Sequence, residues 1–213
     1  FLRRMLHGDY SERQIREENQ EVRLKSGSYL LYVIRLATEQ DEIVMETLKN
    51  LFVLYNVDYL VDVEEDCVVL IKNVQGMEMK AEQYARCIID NLQTEAMINA
   101  WVGYSDPADS FLDFRSRYQQ ACTALQIGTV FYDEGRVFYY RHLGLGRIIQ
   151  QLPPELCDLF LEEVLGEHAE VELDEETLAT INQLFDNNLN ISETARQLFI
   201  HRNTLVYRLE RIE

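Results

Sequence analysis

Arg202, Asn203, Thr204, Tyr207, Arg208 and Arg211 are the residues of this chain whose types and spacing best suit contact with another molecule. Their chemistry is hydrogen bonding to nucleic acid. An arginine fork pairs bidentately with guanine, and asparagine pairs the same way with adenine. Threonine or tyrosine reaches phosphates or a thymine methyl. Steps of three and four residues bring Asn203, Thr204, Tyr207, Arg208 and Arg211 onto one helical face, with Arg202 near its start. Leu205, Leu209 and Ile212 recur at i, i+4 and i+7 on the other face. That stripe anchors a helix that starts at Arg202 or Asn203.

A second helix must hold this one in place. It is expected to begin after Asn190 with Ser192 as its cap, and Ala195 and Leu198 fit its inner face. The small Ala195 lets the next helix approach closely. Phe199-Ile200-His201 then turns the chain, with Ile200 as a buried plug. Two helices joined this way form a helix-turn-helix, whose second helix meets base edges in the major groove. An ordinary α-hairpin with a solvated basic face has the same periodicity. The order Ala, Leu, Ile and then Arg-Asn-Thr-Leu favours the DNA reader.

The bulk composition narrows the class. The 213 residues suit two modest domains, with 47% hydrophobic and 27% charged residues. The net charge of −17 opposes nonspecific binding to nucleic acid. From Ile191 to Glu213, however, four Arg against three Glu give +1, which leaves −18 for the remainder. No apolar run approaches a membrane helix, and the first residues do not read as a secretory signal. A cytoplasmic protein is expected. The chain starts at Phe1 without an initiator Met, so its natural N-terminus is expected upstream. Cys67, Cys87, Cys122 and Cys157 form no CxxC pair and the histidines are scattered, so no metal site and no cofactor is read.

Residues 1–25 read as one or two helices, broken at Gly8-Asp9, with Ser11 capping the second. Tyr29–Ala37 is a continuous apolar run, a buried strand. Thr38–Leu54 is helical. Tyr59–Val63 and Val68–Val74 form a hairpin with the acidic tip Glu64-Glu65-Asp66, and Met77–Glu95 is again helical. Ile98–Tyr104 is a strand and Asp109–Ile127 a helix, closed by Gly128 as its C-terminal cap. Thr129–Tyr132 and Val137–Tyr140 look like short strands. The order β-α-β-β-α-β-α-β predicts an α+β sandwich, with helices packed on a mostly antiparallel sheet. Pro154 opens a helix reaching Leu165. The polar stretch Gly166–Glu172 marks a boundary, and Asp174–Asn187 is a helix capped by Asp174 and closed by Asn187-Asn188. The expected segments are a helical linker at 1–27, a sandwich at 28–142, a helical connector at 143–172 and a helix-turn-helix at 173–213.

Glu193-Thr-Ala-Arg-Gln-Leu198 and His201-Arg-Asn-Thr-Leu-Val-Tyr-Arg-Leu209 resemble the C-terminal helix-turn-helix of the PucR/CdaR regulators, bacterial activators of purine, sugar-diacid and related pathways. Phe1–Gly8, Tyr118–Leu125 and Tyr140–Leu145 are similar to the flanks and end of that family's middle domain. One departure is Phe199, which stands where the wider motif commonly has glycine. The resemblance implies a degenerate GGDEF/nucleotide-cyclase-like α/β sandwich followed by an all-α helix-turn-helix domain. It also implies a homodimer on double-stranded operator DNA, and an effector sensed by an upstream domain.

Active members of the GGDEF-like fold use a Gly-Gly pair at the hairpin and carboxylates that hold metal ions on the nucleotide. Here the tip is Val63-Glu-Glu-Asp-Cys67, and the first strand ends Ile34-Arg-Leu-Ala37, where Arg35 repels a divalent ion. A domain without catalytic residues is expected, used for dimerisation or signal transmission. Two other readings are a divergent nucleotide cyclase or nucleotide-binding enzyme, and a sensor or interaction module that does not bind DNA. The aromatics Phe131-Tyr132 and Phe138-Tyr139-Tyr140 either line a pocket or fill the core.

Overall fold

The structure is a computed structural model that describes residues 1–22, 24, 27–39, 42–132, 135–165 and 175–210. It divides into two compact units, Phe1–Gln151 and Leu152–Glu213.

The first unit is a three-layer sandwich. Its strands are β1 (Tyr29–Leu36), β2 (Tyr59–Glu64), β3 (Cys67–Asn73), β4 (Ala100–Tyr104) and β5 (Val137–Tyr139), in the order β2-β3-β1-β4-β5. β1 is central, antiparallel to both β3 and β4. β2 is antiparallel to β3, and β5 runs parallel to β4. Central placement explains the continuous apolar run of β1, because both of its faces are covered. The edge strand β2 instead alternates: Val61 and Val63 are buried, while Asp62 and Glu64 point to solvent.

One sheet face presents Leu31, Val33, Val69 and Ile71. Helices α1 (Leu2–His7) and α5 (Phe114–Phe131) cover it with Met5, Leu6, Phe114 and Leu125. The other face presents Tyr32, Ile34, Leu70 and Val102 to α3 (Glu42–Phe52) and α4 (Ala81–Glu95), which supply Leu48, Ile88 and Leu92. Helix α2 (Glu12–Val22) starts as expected: Ser11 Oγ accepts the Gln14 amide at 3.4 Å, and Gln14 Oε1 accepts the Ser11 amide at 2.9 Å. The buried Asp58 carboxylate ties the end of α3 to β3. It accepts from Leu54 N, Asn73 N and Lys72 Nζ at 2.7, 2.9 and 2.6 Å.

The structure corrects the end of the sandwich. Gly128 is not a cap; α5 runs through it to Phe131, so Thr129–Phe131 is helix rather than strand. The glycine is needed for close packing. A Cβ there would stand 2.1 Å from Cγ of Phe138, which lies flat against the helix. Gly103 has a similar role in β4, where a Cβ would lie 2.3 Å from the Ala121 carbonyl oxygen of α5. The start of α5 also shifts, from Asp109 to Phe114. Ser110 and Asp113 form a capping box around the 3-10 turn Phe111–Asp113, which takes up the intervening residues. Helix α4 begins about one turn later than its periodicity suggests. Beyond β5 lie a 3-10 turn, Tyr140–Leu143, and the short α6 (Gly146–Ile149).

The second unit is helical: α7 (Pro154–Leu165), α8 (Glu175–Asp186), α9 (Ile191–Gln197) and α10 (Arg202–Glu210). Pro154 stands at the first position of α7, where its missing N–H costs nothing. The stretch Gly166–Glu172 and the expected cap Asp174 lie outside the described residues. Asn188 and Leu189, both at positive φ, end α8: Leu189 N–H donates to Leu184 O at 2.8 Å and Asn188 N–H to Phe185 O at 2.9 Å.

Candidate nucleic-acid interface

Helices α9 and α10 pack through Ala195 and Leu205, both buried. Asn190, not Ser192, caps α9, and its side chain accepts the Glu193 amide at 3.2 Å. Ser192 lies two residues after the cap, inside the helix, and is exposed. Asn187 fastens α8 to α9 by donating to Thr194 Oγ1 at 3.3 Å and Gln197 Oε1 at 3.1 Å.

The turn after α9 is a Schellman motif with a phenylalanine in the glycine position. Phe199 sits at φ 54°. Its N–H donates to Arg196 O at 3.2 Å, and Ile200 N–H donates to Ala195 O at 3.0 Å. The Phe199 ring is 94% exposed, so no packing offsets its left-handed backbone. Ile200, expected as a buried plug, is only half-buried because the tight turn keeps it near the surface.

α10 then starts at Arg202. His201 Nδ1 accepts the Asn203 amide at 3.2 Å, which satisfies one of the free donors at the helix start. The sequence places His201 only in the turn; a histidine can cap through an acceptor nitrogen alone, and residue type does not reveal that. Arg202, Asn203, Thr204 and Tyr207 are all exposed on the first two turns. Leu205 is buried and Leu209 half-buried on the opposite side, as the stripe requires. Arg208 departs from the fully solvated face expected of it. Its side chain is 28% exposed, and its guanidinium bonds Glu176 Oε1 of α8 at 2.5 Å. Arg211 and Ile212 lie outside the described residues.

The tip of the β2–β3 hairpin holds Asp62, Glu64, Glu65 and Asp66 around a shallow cleft shared with Arg3. Leu36 N–H donates to Asp66 O at 2.8 Å, so the end of β1 lies beside the tip, and Arg35 pairs across the sheet with Cys67. Burial pushes the Cys67 thiol up to about 12; nearby Cys122 and Glu64 add to this, and Arg35 opposes it. Among the described residues no group of three or more His, Cys, Asp or Glu is placed to hold a metal ion. With two arginines nearby and no glycine at the tip, these residues do not fit a metal-bound nucleotide.

The aromatic cluster divides between core and pocket. Phe138 is buried against Gly128, and Tyr140 stacks under the Arg147 guanidinium at 4.9 Å. Tyr132 and Tyr139, joined by Tyr104, Phe138, Glu82 and His142, line a cavity of about 340 Å³.

Residues 177–213 match the family model described as the PucR C-terminal helix-turn-helix domain, and residues 7–127 match that of the GGDEF-like domain. The chain is similar to the purine catabolism regulatory protein of Bacillus subtilis (strain 168), with 30% identity over 112 residues that cover 52% of this chain and 21% of that protein. It is also similar to the proline-responsive transcriptional activator PutR of the same organism, with 22% identity over 100% of this chain and 55% of that protein. A solved structure, the regulator of polyketide synthase expression from Bifidobacterium adolescentis, aligns at a TM-score of 0.45 and 13% identity, over 98% of this chain and 80% of that one. The chain spans 55% or less of the length of these curated relatives. With its GGDEF-like model matched over more than half of its length, the chain belongs to the GGDEF-like domain family, and it carries after that domain a match to the PucR C-terminal helix-turn-helix.

Proposed function

We propose that this chain is the operator-reading part of a bacterial transcription regulator that works in the cytoplasm as a homodimer. The observation that carries the reading is the α9–α10 pair. It buries Ala195 and Leu205 and leaves Arg202, Asn203, Thr204 and Tyr207 exposed on the leading turns of α10. A recognition helix needs that division of faces. Arg208 joins the set once it exchanges Glu176 for DNA, and Arg211 is assigned to the same face by its spacing. The names of the relatives, a regulatory protein and a transcriptional activator, support this role.

The segments at 1–27 and 143–172 connect the sandwich at 28–142 to its neighbours, and 173–213 is the DNA-binding domain. The sandwich transmits a signal or pairs two copies and does not turn over nucleotides; Arg3 and Arg35 near the hairpin tip support that. In the second unit taken by itself, α7 exposes Leu156, Leu159, Phe160, Leu161 and Val164, apolar area of the kind that pairing covers. The effector is sensed by a domain upstream.

The test is selection of bound sequences from random duplex DNA, followed by a mobility shift on the selected site. Asn203→Ala is expected to lower affinity by about 1–3 kcal/mol and relax preference at one base pair, with its thermal unfolding unchanged. Unaltered affinity and preference for Asn203→Ala, Thr204→Ala and Arg202→Ala together would remove α10 as the reading helix. For the sandwich, incubation with GTP or ATP and Mg²⁺ is expected to give no product. Turnover that disappears in Glu65→Ala would show an enzyme instead.

A further inference from the structure

We propose that the cavity outside the carboxyl ends of β4 and β5 binds a small organic ammonium cation. The parallel pairing of these strands puts Tyr104 and Tyr139 in register, on the same sheet face. Their rings stack 4.7 Å apart with 3° between planes. From the carboxyl end of β4 a crevice runs along the edge strand β5, past Gly135, Val137, Tyr139 and His142. Here the crevice encloses about 340 Å³, at the small end of the range for bound molecules.

The wall has the composition of a cation site. Tyr104, Tyr132, Phe138 and Tyr139 offer aromatic surface, and the negative face of such rings attracts a cation. Among the described residues Glu82 is the one carboxylate on the wall, and no lysine or arginine lines it. The nearby arginines are held by carboxylates, one of them Glu82 itself. Arg86 Nε and Nη2 both bond Glu82 Oε1, at 3.3 and 2.8 Å, and this leaves the second carboxylate oxygen for a ligand. Arg141 Nε bonds Asp106 Oδ1 at 2.7 Å.

Tyr139 is also prepared for the task. Its hydroxyl donates to Asp106 Oδ1 at 2.7 Å, which fixes the ring and pushes electron density into it. His142 meets the same ring edge-on, 4.9 Å between centroids. Glu82 and the aromatic faces together favour a cation on this wall over an anion or a neutral ring. The net charge of −17 further favours a cationic ligand.

This cavity is separate from the hairpin tip. β4 pairs Ala100 with Leu36 beside the tip and Tyr104 with Tyr32 at its far end. The two ends of the strand lie roughly 13 Å apart along it. The site is also independent of α10, so its test does not depend on DNA binding.

The experiment titrates the whole chain with choline and follows the tyrosine ring resonances by NMR. The control is the neutral isostere of choline, in which a tert-butyl group replaces the trimethylammonium. Choline is expected to shift Tyr104 and Tyr139 saturably in the millimolar range, and the isostere to bind about tenfold more weakly. Glu82→Gln, an exposed position, should weaken choline about three- to tenfold while the amide spectrum remains folded. Tyr132→Ala at the rim should weaken it as well. Absence of a saturable shift, equal affinity for the isostere, or unchanged affinity in Glu82→Gln would each overturn the proposal.

Discussion

Arg208 is bound to Glu176, so its guanidinium must leave an ion pair before it can meet a phosphate or a base. The Glu176 side chain is itself 67% exposed, which makes the pair a modest one, on the order of 0.2–1 kcal/mol. Glu176→Gln therefore frees the arginine at little structural cost and removes a negative charge near the duplex. Operator affinity is expected to rise about two- to fivefold in that variant, measured by fluorescence anisotropy at fixed salt. Arg208→Ala should weaken binding, and adding Glu176→Gln to it should restore little, because no arginine remains to be released. A gain of equal size in the presence and absence of Arg208 would mean that Glu176 acts only through its own charge. This pair could not be read from the sequence: the partners are far apart along the chain, and the spacing of α10 gives only its own faces.

At the level of elements, the turn after α9 stores strain that can be removed. Phe199 adopts φ 54° with its ring in solvent. A left-handed L-residue costs about 1–2 kcal/mol, and glycine returns part of that as extra freedom in the unfolded chain. Phe199→Gly is expected to stabilise the second unit by about 0.5–1 kcal/mol in urea unfolding, and Asn190→Ala to destabilise it by about 1 kcal/mol through loss of the cap. The Asp106 contact, which joins the end of β4 to the turn after β5, carries a pH signature. Burial raises the Asp106 carboxyl, but the Tyr139 hydroxyl and Arg141 outweigh it and hold it below its ordinary 3.8. A carboxyl lowered by folding stabilises the fold above its unfolded value and loses that effect as pH falls through its folded one. Asp106→Asn should thus cost about 1 kcal/mol near neutrality, and the difference from the parent should shrink as pH falls below 3.8 and vanish below the folded value. A gap that persists in acid would assign the loss to packing instead. The sequence did show most of these elements. The apolar run of β1, the alternation of β2 and the helical stripes each follow from one-dimensional periodicity. It failed at Gly128, because a glycine that ends a helix and one that admits the Phe138 ring look identical until the ring is in place. The Tyr104–Tyr139 stack was hidden for a related reason: it depends on the parallel pairing of β4 with β5, which no local pattern encodes.

For the whole molecule, charge and the small reading surface set the terms of DNA binding. The chain carries −17, while the described part of α10 offers only Arg202 and Arg208 as cations. One copy neutralises few phosphates and brings an acidic body toward the duplex, so a single half-site is held weakly and salt removes it quickly. Two copies on two half-sites double the base contacts, and the second binding event becomes intramolecular. Recognition helices of such dimers enter the groove about one helical turn, roughly 34 Å, apart. A duplex with two inverted copies of the selected half-site at that spacing is therefore expected to bind at least about tenfold more tightly than one with a single copy at the same salt. Inserting about half a turn of DNA between the copies should erase the gain, since the second helix would then face the wrong side of the duplex. Equal affinity for the single and double sites across protein concentrations, measured by mobility shift with sedimentation as a check on stoichiometry, would show that the chain reads DNA one copy at a time. The dimer would then have no part in recognition.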